Sequence, residues 1–221
     1  MLEFIFMLTR DDQTVTDALE VYEDLRDTGL RYVGFKDVGV PPETLRELTA
    51  AIRGDGRVVV LEVVSLSTDD ELRSVRVGLD LGVDLIMGGT HPEAVLPLLE
   101  GSPVRYLPFP GTVIDHPSVL TGSIDEIAEH ARRLTSLPGV HGLDLLAYRH
   151  SGDVPALMAA VVAASRGPVV VAGSIDSDER IEVARASGAW GFTVGGAVFD
   201  RCWLPGGSCA EQVRHILERA A

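Results

Sequence analysis

Lysine is nearly absent from this sequence. Of the 19 basic residues, 18 are arginine, and the single lysine is Lys36, within GFKDVG at residues 34–39. A lysine amine can lose its proton in a suitable environment, whereas an arginine guanidinium stays charged at any accessible pH. Lys36 is therefore a candidate functional group.

Long apolar runs are absent too. None approaches the roughly 20 residues of a membrane-spanning helix, and MLEFIFMLTR lacks the basic start and cleavage site of a signal peptide. We expect a cytoplasmic protein with no membrane partner. The net charge of -14 repels nucleic acid and anionic lipid, so we also expect no nucleic-acid partner. A small anion could still bind at local backbone donors.

Motifs for bound cofactors are missing as well. No HxH, HExxH or aspartate-rich pattern occurs, so no metal ion is predicted. No GxGxxG follows a first strand, which argues against a dinucleotide, and we expect no other cofactor. Cys202 and Cys209 lack CxxC spacing and nearby histidines, and we expect two free thiols.

Short apolar runs alternate with longer segments of helical period along the whole chain. Eight such pairs in 221 residues are typical of a (β/α)8 barrel, with buried parallel strands. We therefore predict an α/β TIM barrel that forms a single domain over residues 1–221. The predicted strands cover 3–8, 32–37, 58–65, 85–90, 105–111, 142–148, 168–175 and 191–199.

Glycine pairs or Gly-Ser end several of these strands. In such barrels the strand-to-helix loops converge at one face, and a phosphate commonly binds between the loops after strands seven and eight. Glycine lets the backbone approach an anion closely and turn its N–H groups toward it. Here strand seven ends in Ala172-Gly173-Ser174 and strand eight in Gly195-Gly196-Ala197, although glycines could also serve only to end strands tightly.

A half-barrel repeat accompanies the glycines. Units three and four can be laid over units seven and eight, each running from a valine triplet through an acidic helix start to a glycine pair. With its two glycine loops and this repeat, the chain resembles the ribulose-phosphate-binding barrel superfamily, in a layout like that of the histidine-biosynthesis isomerase and cyclase. The resemblance implies that Gly173, Ser174, Gly195 and Gly196 hold a substrate phosphate. It further implies a second anion site at Gly88 and Gly89, with Arg149 as a candidate partner.

The sequence also departs from that pattern. The histidine-pathway barrels carry catalytic acids within strands one and five, and neither EFIFML nor RYLPFPG has one at the matching positions. That particular reaction is therefore not expected, and the resemblance identifies no exact family.

Lys36 follows strand two, so it should lie at the face where the loops converge. Alternation places Phe35 outward and Lys36 toward the barrel mouth. Glu62 interrupts an apolar strand three, and a buried carboxylate needs a partner, so we predict a Lys36–Glu62 pair. Lys36 could form a Schiff base as a neutral amine, stabilise an enolate as an ammonium, or serve only as a structural ion pair.

The loop after strand six, AYRHSGDVP, adds polar candidates. His150 has a pKa suited to proton transfer and Arg149 could bind a carboxylate or phosphate, although both could equally be solvated loop residues. Asp153 is a candidate helix cap. The long loop after strand five, with Asp115 and His116, could form a substrate wall.

These features predict an enzyme that acts on a small phosphorylated carbonyl compound, such as a sugar phosphate or keto-acid phosphate. The expected chemistry is that of an aldolase, lyase, isomerase or epimerase, with Lys36, Glu62 and His150 as catalytic residues. A barrel that binds a phosphorylated ligand without catalysis, as a sensor or scaffold, is the alternative. Apolar residues on the outer helices could serve a homodimer.

Overall fold

A computed structural model describes residues 2–115 and 117–221. Its centre is a ring of eight parallel strands. Their short apolar runs, rich in valine and isoleucine, suit strands that are buried on both faces. The strands are β1 (Glu3–Met7), β2 (Tyr32–Phe35), β3 (Val58–Val63), β4 (Leu85–Gly88), β5 (Arg105–Leu107), β6 (Leu143–Leu145), β7 (Val169–Val171) and β8 (Gly191–Val194).

Helices follow the strands and surround the ring. Several begin at a serine or aspartate whose side chain accepts a backbone N–H of the first turn, as Ser67, Ser123, Asp153, Ser177 and Ser208 do. The helices are α1 (Ala18–Asp24), α2 (Pro42–Gly54), α3 (Thr68–Leu81), α4 (Pro92–Leu99), α5 (Ile124–Leu134), α6 (Val154–Ala164), α7 (Asp178–Ala186), α8 (Gly196–Phe199) and α9 (Cys209–Ala220).

The strand order runs β6-β7-β8-β1-β2-β3-β4-β5, with every neighbouring pair parallel. Backbone hydrogen bonds close the remaining seam between β5 and β6. His141 N donates to Tyr106 O at 2.9 Å, and Asp144 N donates to Pro108 O at 3.1 Å. The predicted eight-stranded (β/α)8 barrel is confirmed.

Alternate residues of each strand divide between two apolar layers. One cluster fills the inside of the ring, with Ile5, Val60, Leu85 and Val170 among its members. The other lies between the strands and the helices and is larger. Polar strand residues that point inward therefore have to be accommodated at the ends of the inner layer.

Two hairpins extend the ends of strands. The first pairs Thr9–Arg10 with Gln13–Thr14 directly after β1, and the second pairs Thr112–Ile114 with Val119–Thr121 after β5. Both follow the carboxyl end of a strand, so they lie on the face where the loops converge.

Each of the eight strands ends earlier than the sequence pattern predicts, and for three of them a local feature gives the reason. Strand five stops before Pro108 because proline has no N–H for a sheet ladder. Strand six stops at Leu145, since Ala147–Arg149 forms a turn of 3₁₀ helix. Strand eight stops at Val194 because Gly196 already begins the short helix α8.

Within the described part of the chain, no helix has both the length and the apolar character that crossing a bilayer requires.

The packing between ring and helices predicts a large cost for removing Phe192. This ring is fully buried and stacks on Phe4, with centroids 5.3 Å apart. Phe192→Ala should lower the free energy of unfolding by about 3–5 kcal/mol, because burial is lost and a cavity remains. Urea denaturation measures this change. Leu66→Ala, at an exposed leucine, is the control, and a loss below about 1 kcal/mol for Phe192→Ala would contradict the packing.

Candidate active site

Lys36 lies at the carboxyl end of β2, one residue beyond its last member. Phe35 points outward into the larger apolar cluster, so Lys36 points into the mouth of the ring. The residue is only 3% exposed, and it lines a cavity of about 360 Å³. This is the position that alternation along the strand predicts.

Two carboxylates hold the Lys36 ammonium. Its Nζ lies 3.3 Å from Glu62 Oε2, so the predicted Lys36–Glu62 pair is present. A second and closer partner is Asp12, whose Oδ1 accepts a hydrogen bond from Nζ at 2.7 Å. All three side chains line the cavity.

The two carboxylates decide the charge state of Lys36. Burial by itself would lower the pKa of Lys36, because it disfavours the charged form. The nearby charges of Glu62 and Asp12, with their hydrogen bonds, outweigh burial, and the pKa is raised above its usual value. Lys36 is therefore an ammonium at neutral pH.

Asp12 is a site residue that the sequence pattern did not reveal. It lies five residues beyond the end of β1, and the hairpin after β1 turns back at Asp11 and Asp12, both with positive φ (51° and 59°). Asp tolerates this backbone conformation better than most residues. An Asp-Asp pair flanked by two polar strand-like segments was the available signal for such a turn.

Thr14 fixes this hairpin against β2. Its Oγ1 donates to Lys36 O at 2.6 Å and accepts from Lys36 N at 2.9 Å. On the other side, Arg10 forms an ion pair with Asp200 beside α8, at 2.6 Å. The hairpin thus joins β2 to the segment after β8, and it holds the Asp12 carboxylate over the lysine.

Asp144 is a third carboxyl group inside the ring. It is in register with Val170, which belongs to the inner cluster, and it is fully buried. Neither carboxyl oxygen has a hydrogen-bond partner among the described residues. Burial first, and then the charge of Glu62, raises the pKa of Asp144 well above its usual value, which favours its protonated, neutral form.

The loop after β7 faces the same cavity as Lys36. Gly173 has φ +78°, and Ser174 has φ +57°, a conformation that is uncommon outside glycine. A Cβ at position 173 would lie 3.0 Å from Cγ of Arg149, so glycine is needed for this arginine to cross the loop. Among the described residues, no acceptor receives the N–H of Gly173 or Ser174.

The loop after β8 meets the β7 loop at the cavity. Gly195 and Gly196 both line it, and their N–H groups likewise donate to no acceptor within the described ranges. A Cβ at Gly195 would lie 2.8 Å from Thr9 O, so the close approach of the β1 and β8 loops requires glycine here. The structure brings together all four residues of the predicted phosphate site.

Arg149 adds a cation beside these loops. Its Nη1 donates to Ser118 O at 3.3 Å, and its buried Nε has no partner in the described part of the chain. Arg149 lines the cavity next to Gly173. It therefore belongs with the β7 and β8 loops.

Gly88 and Gly89, predicted as a second anion site together with Arg149, do not line the cavity that Arg149 lines. Both glycines have the positive φ of an anion-binding turn, but neither is among the described residues that line the cavity with Arg149. The carboxylate of Glu71, from α3, already lies against Gly89 and accepts the N–H of Thr90 at 2.9 Å.

The structure places His150 outside the cavity, although the sequence analysis names it as a catalytic candidate. Its Nε2 is 2.9 Å from Gly122 O, its Nδ1 accepts from Gly152 N, and it is not among the described cavity residues. His150 follows the 3₁₀ turn Ala147–Arg149, and its ring contacts the backbone of Gly122 and Gly152 on the loop side. Asp153 caps α6, as predicted, and His116 lies outside the described residues.

Cys202 and Cys209 are free thiols, as predicted. Within residues 2–115 and 117–221, no group of three or more His, Cys, Asp or Glu side chains has the arrangement of a metal site.

Comparison with known proteins gives a fold and no family. No family model matches the sequence, and no curated protein matches it. Solved structures do match over the whole chain. One is phosphoribosylanthranilate isomerase from Thermotoga maritima, with a TM-score of 0.66 and 15% identity, covering 100% of this chain and 98% of that one.

Two further matches are similar in extent. Thiamine phosphate pyrophosphorylase from Pyrococcus furiosus has a TM-score of 0.64 and 15% identity, covering 99% of this chain and 95% of that one. A phosphoribosyl anthranilate isomerase in complex with reduced 1-(o-carboxyphenylamino)-1-deoxyribulose 5-phosphate has a TM-score of 0.64 and 14% identity, covering 100% and 98%. These neighbours are enzymes, and they confirm the predicted resemblance at the level of the fold.

The raised pKa of Asp144 predicts an unusual pH dependence of its contribution to stability. Its folded pKa exceeds its unfolded pKa, so the contribution of Asp144 to the free energy of unfolding falls as pH rises above about 4, by up to about 1.4 kcal/mol per pH unit until the folded pKa is reached. Asp144→Asn stays neutral and escapes this loss. Its stability relative to wild type should therefore rise between pH 4 and pH 7 in urea titrations.

An exposed aspartate supplies the control for this measurement. Asp24→Asn should follow the wild-type pH profile, since Asp24 lies on the solvent side of α1. A constant difference between Asp144→Asn and wild type across the same pH range would mean that Asp144 is ionised when folded.

Proposed function

We propose that this protein is an enzyme that acts on a small phosphorylated carbonyl compound through an enolate stabilised by Lys36. The reaction class is that of an aldolase, a lyase or an isomerase. The observation that carries the proposal is that one cavity contains both a buried lysine–carboxylate cluster and two glycine loops with open N–H groups.

The loop end of the cavity is suited to the phosphate. Gly173, Ser174, Gly195 and Gly196 line it with N–H groups that donate to no acceptor among the described residues, and Arg149 supplies a positive charge. Backbone donors and a guanidinium together make charge-assisted hydrogen bonds to phosphate oxygens. Anchoring at this end would hold the rest of the substrate over Lys36.

The lysine end is suited to a carbonyl group. An ammonium has three N–H donors, and Asp12 and Glu62 occupy two of them. The third can donate to a carbonyl oxygen of the substrate. When the adjacent carbon loses a proton, negative charge develops on that oxygen, and a fixed ammonium stabilises it in a site with little water.

A carboxylate beside the lysine would accept that proton. Asp12 and Glu62 are the two candidates, and the Asp12 side chain is the more exposed to the cavity, at 15% against 9%. The C–H electron pair passes into the enolate, and the proton remains on the carboxylate. Return of the proton to the former carbonyl carbon, as the neighbouring hydroxyl proton moves to the enolate oxygen, gives an isomer. Loss of a leaving group from the β carbon gives elimination, the lyase outcome. Aldol cleavage reaches an enolate differently: the carboxylate takes the proton of a β-hydroxyl, the bond between the α and β carbons breaks, and its electron pair passes into the enolate.

Enolate chemistry suits this lysine better than a Schiff base. A Schiff base needs a neutral amine, and the two carboxylates raise the pKa of Lys36. A noncatalytic phosphate binder would not need a lone lysine buried between two acids inside the ligand cavity, since such a cluster has a desolvation cost. The structural neighbours, two of which are isomerases, support catalysis in general terms.

The position of Arg149 predicts that its substitution weakens phosphate binding. Arg149→Met removes the charge and retains much of the side-chain volume, so it should weaken binding of inorganic phosphate by roughly 10- to 100-fold. Isothermal titration calorimetry measures this. Arg166→Met, at an exposed arginine outside the cavity, should bind as wild type does. Equal affinities of the two variants would argue against phosphate at these loops.

The role proposed for Lys36 predicts that a carbon-bound proton of the substrate exchanges with solvent. In D₂O with a panel of sugar phosphates and keto-acid phosphates, wild type should incorporate deuterium next to the carbonyl of its substrate, as detected by NMR. Lys36→Ala should exchange about 10²- to 10³-fold more slowly, because one fixed donor to the oxyanion is lost. Arg46→Ala, on the exposed face of α2, is the control.

Two outcomes would redirect this proposal. A borohydride-stable adduct on Lys36, found by intact-mass analysis, would mean that a Schiff base forms after all. Saturable phosphate binding without exchange on any compound of the panel would favour the noncatalytic alternative.

A further inference from the structure

Glu71 is a buried carboxylate outside the active-site cavity. It extends from the first turn of α3 into the loop after β4 and is 1% exposed. One oxygen accepts from Thr90 N at 2.9 Å and lies 2.8 Å from His91 Nδ1, and the other accepts from His91 N at 3.2 Å. The carboxylate therefore occupies the position that an anion would take in this glycine loop.

The other half of the barrel shows the same loop without such a group. Ser67 caps α3 and Ser177 caps α7, each accepting from the residue three positions later. Four positions after the cap, α3 has Glu71, whereas α7 has the buried apolar Ile181. The β8 loop that follows α7 keeps its N–H groups open to the cavity.

We propose that the β4 loop is a second anion-binding loop that the protein fills with its own Glu71 carboxylate, so that its substrate carries one phosphate only. This inference rests on the proposed function for the β7 and β8 loops. It goes further by giving the substrate class, a monophosphate whose opposite end is uncharged.

Electrostatics gives the reason for this specificity. The β4 loop begins beside the lysine end, because Gly88 pairs with Val63, which lies between the cavity residues Glu62 and Val64. A second phosphate directed toward this loop would meet a carboxylate whose hydrogen bonds are already made, and like charges repel. The lysine end offers no compensating cation, because Lys36 already faces Asp12 and Glu62. A hydroxyl or carbonyl group is what that end can accept.

Cavity size agrees with a small ligand. The cavity of about 360 Å³ is near the lower limit for ligand pockets, which span about 300–1,000 Å³. A compound of triose to pentose size with one phosphate would fit it.

The first test compares inorganic phosphate binding to wild type and Glu71→Ala, followed by the ¹⁵N–¹H NMR shifts of individual amides. In wild type, phosphate should shift the amides of Gly195 and Gly196 and leave those of Thr90 and His91 unchanged. In Glu71→Ala, the Thr90 and His91 amides should also shift and saturate. Glu71→Gln, which keeps an oxygen acceptor in the loop, should behave as wild type.

Glu71→Ser, with a short hydroxyl that can accept one N–H, replaces Glu71→Ala if that variant does not fold. Saturable shifts of Thr90 and His91 in wild type would overturn the inference, and so would their absence in both shortened variants.

The second test uses ribose 5-phosphate and ribulose 1,5-bisphosphate as probes of wild type. The bisphosphate should bind no more tightly than the monophosphate. A preference of about tenfold or more for the bisphosphate would overturn the monophosphate assignment. Failure of the proposed function has a different signature, since the Gly195 and Gly196 amides would then not respond to phosphate in any variant.

Discussion

The ion cluster of Lys36 with Asp12 and Glu62 is the interaction on which the site depends. An ammonium inside an apolar ring is unfavourable unless carboxylates compensate its charge, and each carboxylate is unfavourable there without the ammonium. The cluster satisfies all three groups and keeps the lysine charged. It also dictates local structure, because the Asp12 carboxylate can reach Nζ only if the hairpin after β1 folds back over β2.

Much of the fold could be predicted from the sequence because it depends on local patterns. Short apolar runs alternate with segments of helical period eight times, and each is visible within a few residues. The Lys36–Glu62 pair was accessible for a similar reason, since alternation fixes the direction of strand residues and adjacent strands lie close together. The ends of strands five, six and eight were less accessible, because the apolar pattern continues past them. Proline and glycine compete with it at strands five and eight, and a 3₁₀ turn forms within it at strand six.

The rest of the site depends on contacts between distant segments. Asp12 reaches the lysine through a turn, so no strand periodicity marks it. In the sequence, Glu71 looks like any acidic residue in the first turn of a helix. Only the three-dimensional structure shows that its carboxylate lies in the β4 loop. His150 was a candidate because the pKa of a histidine suits proton transfer and because it lies in the loop after strand six, and neither feature fixes the direction of its ring. The 3₁₀ turn at Ala147–Arg149 directs Arg149 inward and leaves His150 on the loop side.

The chain distributes the site between its two ends. Lys36 and its two paired carboxylates come from residues before 64, on β2, β3 and the hairpin after β1, whereas the glycine loops and Arg149 come from residues after 145. Under the proposed function, substitutions in the first third would change which bond reacts, and substitutions in the last third would change how the ligand is anchored. The Arg10–Asp200 ion pair is a side-chain contact that joins the two parts.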